Sequence, residues 1–149
     1  LNAWQIRIVR RAAALWCAAS VGALLFSVRV AVTVFDEMPA DRMQAGRIAG
    51  RAFTGAYAIA LTAAVVALVI VWLTRSAHAR IDRWMAAALL MASMAELFWI
   101  APAILRHGSG WPGSFASLHA AGGLLHLVLA VVALILSWRL LNSADEVAA

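Results

Sequence analysis

Arg29 interrupts the run "SVRVAVTVF", Glu96 the run "MASMAELFWIAP", and His126 the run "AAGGLLHLVLAVV". Tyr57 lies in "FTGAYAIALT", and His119 stands a little before His126. A guanidinium, a carboxyl, an imidazole and a phenol in apolar segments have few uses. They can form a proton or ion relay, line a site for a polar ligand, or pair with one another to hold helices together. His119 and His126 are seven residues apart, so on a helix they share a face about 10 Å from each other. Haem needs ligands from facing elements, and one helix cannot clamp it from both sides. Met85, Met91 and Met94, with Met38 and Met43, offer thioethers of the kind Cu(I) favours, although helical methionines usually fill cores. Cys17 is the single cysteine, which excludes an internal disulfide and a cysteine zinc framework, and a small apolar core role is expected for it. No nucleophile–base pair, phosphate loop or H-E-x-x-H is present, so the expectation is a protein that is not an enzyme, with no metal and no cofactor.

The elements that carry these residues are set by hydropathy. Of the 149 residues, 65% are hydrophobic and 13% charged, and the mean hydropathy is +0.89. That charge is about half of what a soluble domain carries. A spanning helix needs about 20 mostly apolar residues. Four stretches qualify, at about 12–35, 52–73, 84–105 and 118–138. The linkers are short. "DEMPADRMQAGRIAGR" mixes charges around Pro39, "TRSAHARIDR" is basic, and "RHGSGWPGS" reads as a tight turn. Arg7, Arg10 and Arg11 before the first run resemble a secretory signal, but the run is longer than a signal's apolar core, so an uncleaved first span is expected. The expected architecture is all-α, a single integral membrane up-down four-helix bundle in the lipid bilayer.

The net charge of +5 comes entirely from arginine. The arginines fall between apolar runs without interleaved exposed aromatics, which argues for membrane orientation and against nucleic acid. Seven of them (Arg7, Arg10, Arg11, Arg75, Arg80, Arg83, Arg139) lie in the N-terminal segment, the second linker and after the last span. Four (Arg42, Arg47, Arg51, Arg106) lie in the other two linkers. The positive-inside rule then puts both termini in the cytoplasm. Trp16, Trp72, Trp84 and Trp138 fall at that same end of four different spans, as one aromatic belt, and Trp111 marks the other face. Ala18 with Gly22, Gly46 with Gly50, and Gly122–Gly123 are small enough for close helix approach.

Counting along each helix from the cytoplasmic edge places Glu96 and His126 at about 18 Å, Tyr57 at about 22 Å and Arg29 at about 25 Å of a core about 30 Å thick. Side chains lean toward the helix start, and spans one and three run in the same direction, so Arg29 leans toward Glu96. An Arg29–Glu96 pair with His126 and Tyr57 as neighbours is the expected intramembrane polar cluster. The alternative for Arg29 is an outward reach to the headgroups. His119, just after "WPGSFASL", is expected near the outer interface, ordering the third linker without binding metal.

Two longer stretches carry a resemblance. "VFDEMPADRMQAGRIAGRAF" joins the first two spans and "IAPAILRHGSGWPGSFASLHAAGGLLHLV" joins the last two. From about Trp16 to Leu140 the chain resembles the small bacterial four-helix membrane family with a domain of unknown function related to the eukaryotic transmembrane protein 205 group. The matching positions are Ala45, Gly46, Phe53, Pro102, Phe115, Leu118 and His119. The family usually has a proline before the Phe that ends span one, and this chain has "AVTVF" there. The resemblance implies a multi-pass protein of the bacterial inner membrane, with no established reaction and only loose links to transport or metal tolerance.

The leading functional expectation is a non-catalytic accessory or interaction subunit, with a membrane-protein partner or a homo-oligomer as its context. The alternative is a small transporter or metal-handling protein using Glu96 and His126, and a further one is a haem- or quinone-binding redox subunit.

Overall fold

The structure is a computed structural model, and it describes residues 2–74, 79–105 and 115–146. Among the described residues, four helices are long and apolar enough to cross a membrane. Helix α1 spans Ala3–Glu37 and α2 spans Arg42–Leu73. Helix α3 covers Ala79–Ala95, continues through a π-helical turn at Glu96–Ile100, and resumes as the short α4, Ala101–Leu105. Helix α5 spans Phe115–Glu146. The described residues form the expected up-down bundle. The helices outrun the expected spans because capping and charged turns extend them past the apolar windows. Arg75 falls in the connection 75–78, and Arg106 and Trp111 in the connection 106–114, both outside the described residues.

Local chemistry explains the ends. Asn2 accepts from Gln5 N at 2.8 Å while the Gln5 side chain accepts from Asn2 N at 3.0 Å, a reciprocal cap that satisfies two otherwise orphaned donors. Asp41 caps α2 by accepting from Gln44 N at 2.9 Å. Pro39, just after α1, cannot continue a helix and restricts Met38 before it. The π turn has a comparable cause. Pro102 lacks the N–H that an α-helix would give to the Phe98 carbonyl, and Ala101 N–H bonds back to Glu96 O, one residue farther than α geometry.

The helices pack through a seven-residue repeat. On α1, Arg10, Cys17 and Leu24 alternate with Ala13, Ser20 and Ser27, all buried. On α3 the series are Asp82, Leu89, Glu96 and Ala79, Ala86, Ser93; on α5 they are Leu129, Leu136, Ser143 and His126, Ala133, Leu140. On α2 nearly every seam position is alanine: Ala49, Ala56, Ala60, Ala63 and Ala67. This 3-4 spacing is the left-handed coiled-coil seam, and the small residues let backbones approach where lipid gives no hydrophobic push. Helix α1 lies against α2 and α5, and α3 lies against the same two, so α1 and α3 occupy opposite corners. Trp16, Trp72, Trp84 and Trp138 all face outward.

Candidate functional site

The repeat carries polar residues at two levels. The first lies at the end of the bundle where α1 begins and α5 finishes. Arg10 is fully buried there. Its Nη1 donates to Thr74 Oγ1 at 3.0 Å, and its Nη2 donates to Ser143 Oγ at 2.6 Å and to Asp82 Oδ2 at 3.4 Å. Arg139 Nε donates to Asp82 Oδ1 at 2.7 Å. Asp82 is also fully buried, while the Arg139 side chain is 26% exposed. The two hydroxyls are oriented for the task. Thr74 donates its own hydrogen to Ile70 O, and Ser143 donates to Arg139 O. Each therefore turns a lone pair toward the guanidinium. Asp82 sits in the first turn of α3, where the helix dipole favours a carboxylate. One arginine thus ties all four spans together.

Sequence reasoning missed this clamp. It assigned Asp82 to the second linker and counted Arg10 and Arg139 only as orientation signals. The available clue was the repeat: Asp82, Leu89 and Glu96 are seven apart, as are Arg10, Cys17 and Leu24.

The second level lies two heptads along α3 from the first, about 21 Å away. It brings together three of the four residues expected in the intramembrane cluster. Glu96, Tyr57 and His126 are all buried. His126 Nε2 lies 3.1 Å from Leu24 O, and its Nδ1 lies 3.2 Å from the Tyr57 hydroxyl. A carbonyl can only accept, so Nε2 carries the hydrogen of that bond, and in the neutral ring Nδ1 accepts from Tyr57. Phe53 closes the group, with its ring edge-on to His126 at 5.4 Å and stacked on Tyr57 at 6.2 Å. The Tyr57 hydroxyl faces the Glu96 carboxyl. Glu96 Oε1 has no hydrogen-bond partner. It points at Gly122 of α5, 3.8 Å from where a Cβ would stand, and Ile100 Cγ2 is 3.2 Å from that point. A methyl at 122 would press on Ile100 and only touch the carboxyl, so the space glycine leaves there relieves Ile100 first.

Arg29 is not part of the cluster, which corrects the expected pair. It lies exposed on α1, and no ion pair joins it to Glu96 among the described residues. The count along the axis gave its depth but not its direction. Ser27 is on the seam, and two residues farther on the chain has turned about 200°, which carries Arg29 to the outer face. The diagonal placement of α1 and α3 then separates it from Glu96 further.

His119 lies exposed in the early turns of α5, and the third linker it was expected to order lies outside the described residues. Among the described residues no three His, Cys, Asp or Glu side chains converge as a metal site would require. Met43, Met91 and Met94 face outward. Both ring nitrogens of His126 are engaged. A cleft of about 440 Å³ is lined by Arg47, Gly50, Arg51 and Thr54 of α2, and it reaches neither Glu96 nor His126.

The model of a domain of unknown function, DUF4149, matches residues 15–107, and the chain belongs to that family. The match holds Arg29, Tyr57, Asp82 and Glu96 and stops before α5, short of the stretch the resemblance covered. No curated protein and no solved structure matches the chain.

Proposed function

We propose that this member of the DUF4149 family is a non-catalytic accessory subunit that works by contacting another protein within the membrane. The observation that carries this reading is Arg29, a permanent cation on the outward face of α1 with apolar side chains exposed on both sides of it along the helix. Arg10, Thr74, Asp82 and Ser143 are bound to one another inside the bundle, whereas the outward Arg29 is placed to act on something else. A photo-reactive residue placed in turn at outward positions on each helix, in native membranes, tests this. Discrete adducts with another protein are expected. Adducts with lipid alone at every position would remove the reading.

Glu96 supports a second reading. A buried carboxyl oxygen without a partner suits a small transporter or metal-handling protein that uses Glu96 with His126. Reconstituted vesicles loaded with a pH dye or a divalent-metal dye would then show flux in the wild type and none in Glu96→Gln. Equal signals in the two would end this reading.

The orientation belongs to the proposal as well. Both termini face the cytoplasm of a bacterium, in its inner membrane, because seven arginines (Arg7, Arg10, Arg11, Arg75, Arg80, Arg83, Arg139) lie on that side against four (Arg42, Arg47, Arg51, Arg106) on the other. The quoted linker motifs also support kinship with the eukaryotic transmembrane group named above. Reporter fusions after Arg75 and at the C-terminus should both read cytoplasmic, and a periplasmic reading at either would reverse the orientation.

A further inference from the structure

We propose that the outward face of α1 at Ala18, Gly22, Leu25 and Arg29 docks a membrane-spanning helix of a partner protein, and that this helix carries a carboxylate at the depth of Arg29. The proposal rests on the accessory reading above and names the partner's chemistry.

Arginine keeps its charge in any surroundings. In a bilayer such a charge pairs with an anion or reaches the interface. By the axial count Arg29 stands about 5 Å inside the outer edge of the core, and a side chain reaching for that edge must run past apolar neighbours. Val32 and Phe35 lie exposed beyond it toward the end of α1, and Phe26 lies exposed before it, so the surface is apolar on both sides. The nearest carboxylates farther along α1 are Asp36 and Glu37, about 10 Å on. Helical side chains lean toward the helix start, which tilts Arg29 away from them. The opposite direction leads deeper into the apolar span.

The surface around Arg29 has the shape a helix needs. Ala18, Gly22, Leu25 and Arg29 are spaced four, three and four residues apart and all are exposed. On a helix whose seam repeats every seven residues, they form one line on the side away from the bundle. Nothing lies within 4 Å of the point where a Cβ on Gly22 would stand, so a neighbouring backbone can come close there. The line therefore offers a close approach at its centre and a cation one heptad beyond it.

Charge complementarity selects the occupant. A second copy packed symmetrically through this line would set Arg29 beside its own counterpart, and like charges in low dielectric repel. A partner helix with Asp or Glu at the same level neutralises Arg29 and accepts its hydrogen bonds.

The test uses the full chain in native membranes, with a photo-reactive residue at Leu25 and, as the comparison face, at Leu127 of α5. The expected product at Leu25 is an adduct whose partner peptide maps to a membrane span containing Asp or Glu. Its yield should fall at least tenfold in Arg29→Leu and persist in Arg29→Lys. Arg29→Glu should abolish it, and exchanging the partner's carboxylate for arginine in that background should restore it. Unchanged gel-filtration elution of each variant confirms that the bundle stays folded, as expected for an outward side chain. An adduct with lipid only, with a second copy of the chain, or of equal yield in Arg29→Leu overturns the docking proposal. Protein adducts at Leu127 but not at Leu25 overturn it while leaving the accessory reading in place. No protein adduct at either position overturns the docking proposal, and lipid adducts alone at every outward position of the four helices remove the accessory reading with it.

Discussion

Asp82 answers two guanidiniums with one carboxylate, and its two oxygens are divided between Arg10 and Arg139. Asp82→Asn removes the anion that the buried Arg10 shares with Arg139. Loss of one member of a buried pair costs about 3–5 kcal/mol. Equilibrium unfolding in mixed micelles should show a loss of that order. Arg139→Gln should lose about 1 kcal/mol or less, because that side chain is partly in contact with solvent. If the two variants lost equal amounts, Arg10 would not depend on Asp82. A second residue-level outcome concerns Gly122. A methyl there meets Ile100 Cγ2 at 3.2 Å, and such overpacking costs about 1–3 kcal/mol. Gly122→Ala combined with Ile100→Ala should lose less than the sum of the single changes, measured in the same unfolding assay. Much at this scale was legible in the sequence. Counting at helical rise placed Tyr57, Glu96 and His126 at neighbouring depths, and those three meet. Arg29 shows the limit: depth is one coordinate, and the angle around the axis is another. An apolar segment shows that angle only if its inward and outward positions differ in composition. Here Leu, Val and Ala occupy both.

Among the elements, α2 is the most telling. Its seam is built from Ala49, Ala56, Ala60, Ala63 and Ala67, none more than marginally exposed. Such a surface has no side-chain volume to give up, so neighbouring backbones sit against it directly. Ala63→Leu should therefore destabilise the bundle by about 1–3 kcal/mol, while Val69→Leu, on the exposed face, should change little. Thermal melts followed by fluorescence-detected gel filtration would separate the two, and equal midpoints would mean that Ala63 is not in the seam. The helices themselves were legible because about 20 apolar residues in a row have few alternatives. The π turn was not, although Pro102 was in view. Proline announces a missing donor without saying whether the helix kinks, breaks or widens. The clamp escaped for a related reason. Asp82 stands among arginines in a stretch that reads as a linker, and only the spacing to Leu89 and Glu96 marks it as part of a buried seam.

For the molecule as a whole, the two polar levels should act independently. They lie about 21 Å apart along α3, and no hydrogen bond joins one to the other among the described residues. Changes at such distances add to within about 0.5 kcal/mol. Asp82→Asn and Tyr57→Phe should therefore sum in the double variant, and a clear departure would mean that strain passes through the apolar middle. That middle is made of interchangeable small and aliphatic residues, and it has a weakness of its own. A helix displaced along its axis by one heptad would still find alanine or leucine opposite most of its seam, and lipid would not object. The buried charges would object at once, since a shifted α3 would carry Asp82 away from Arg10 and Glu96 away from Tyr57 together. The two levels thus work as the end marks on a ruler whose divisions all look alike. They fix how far each newly inserted helix slides before the bundle locks, and an error of a single repeat is rejected at both ends.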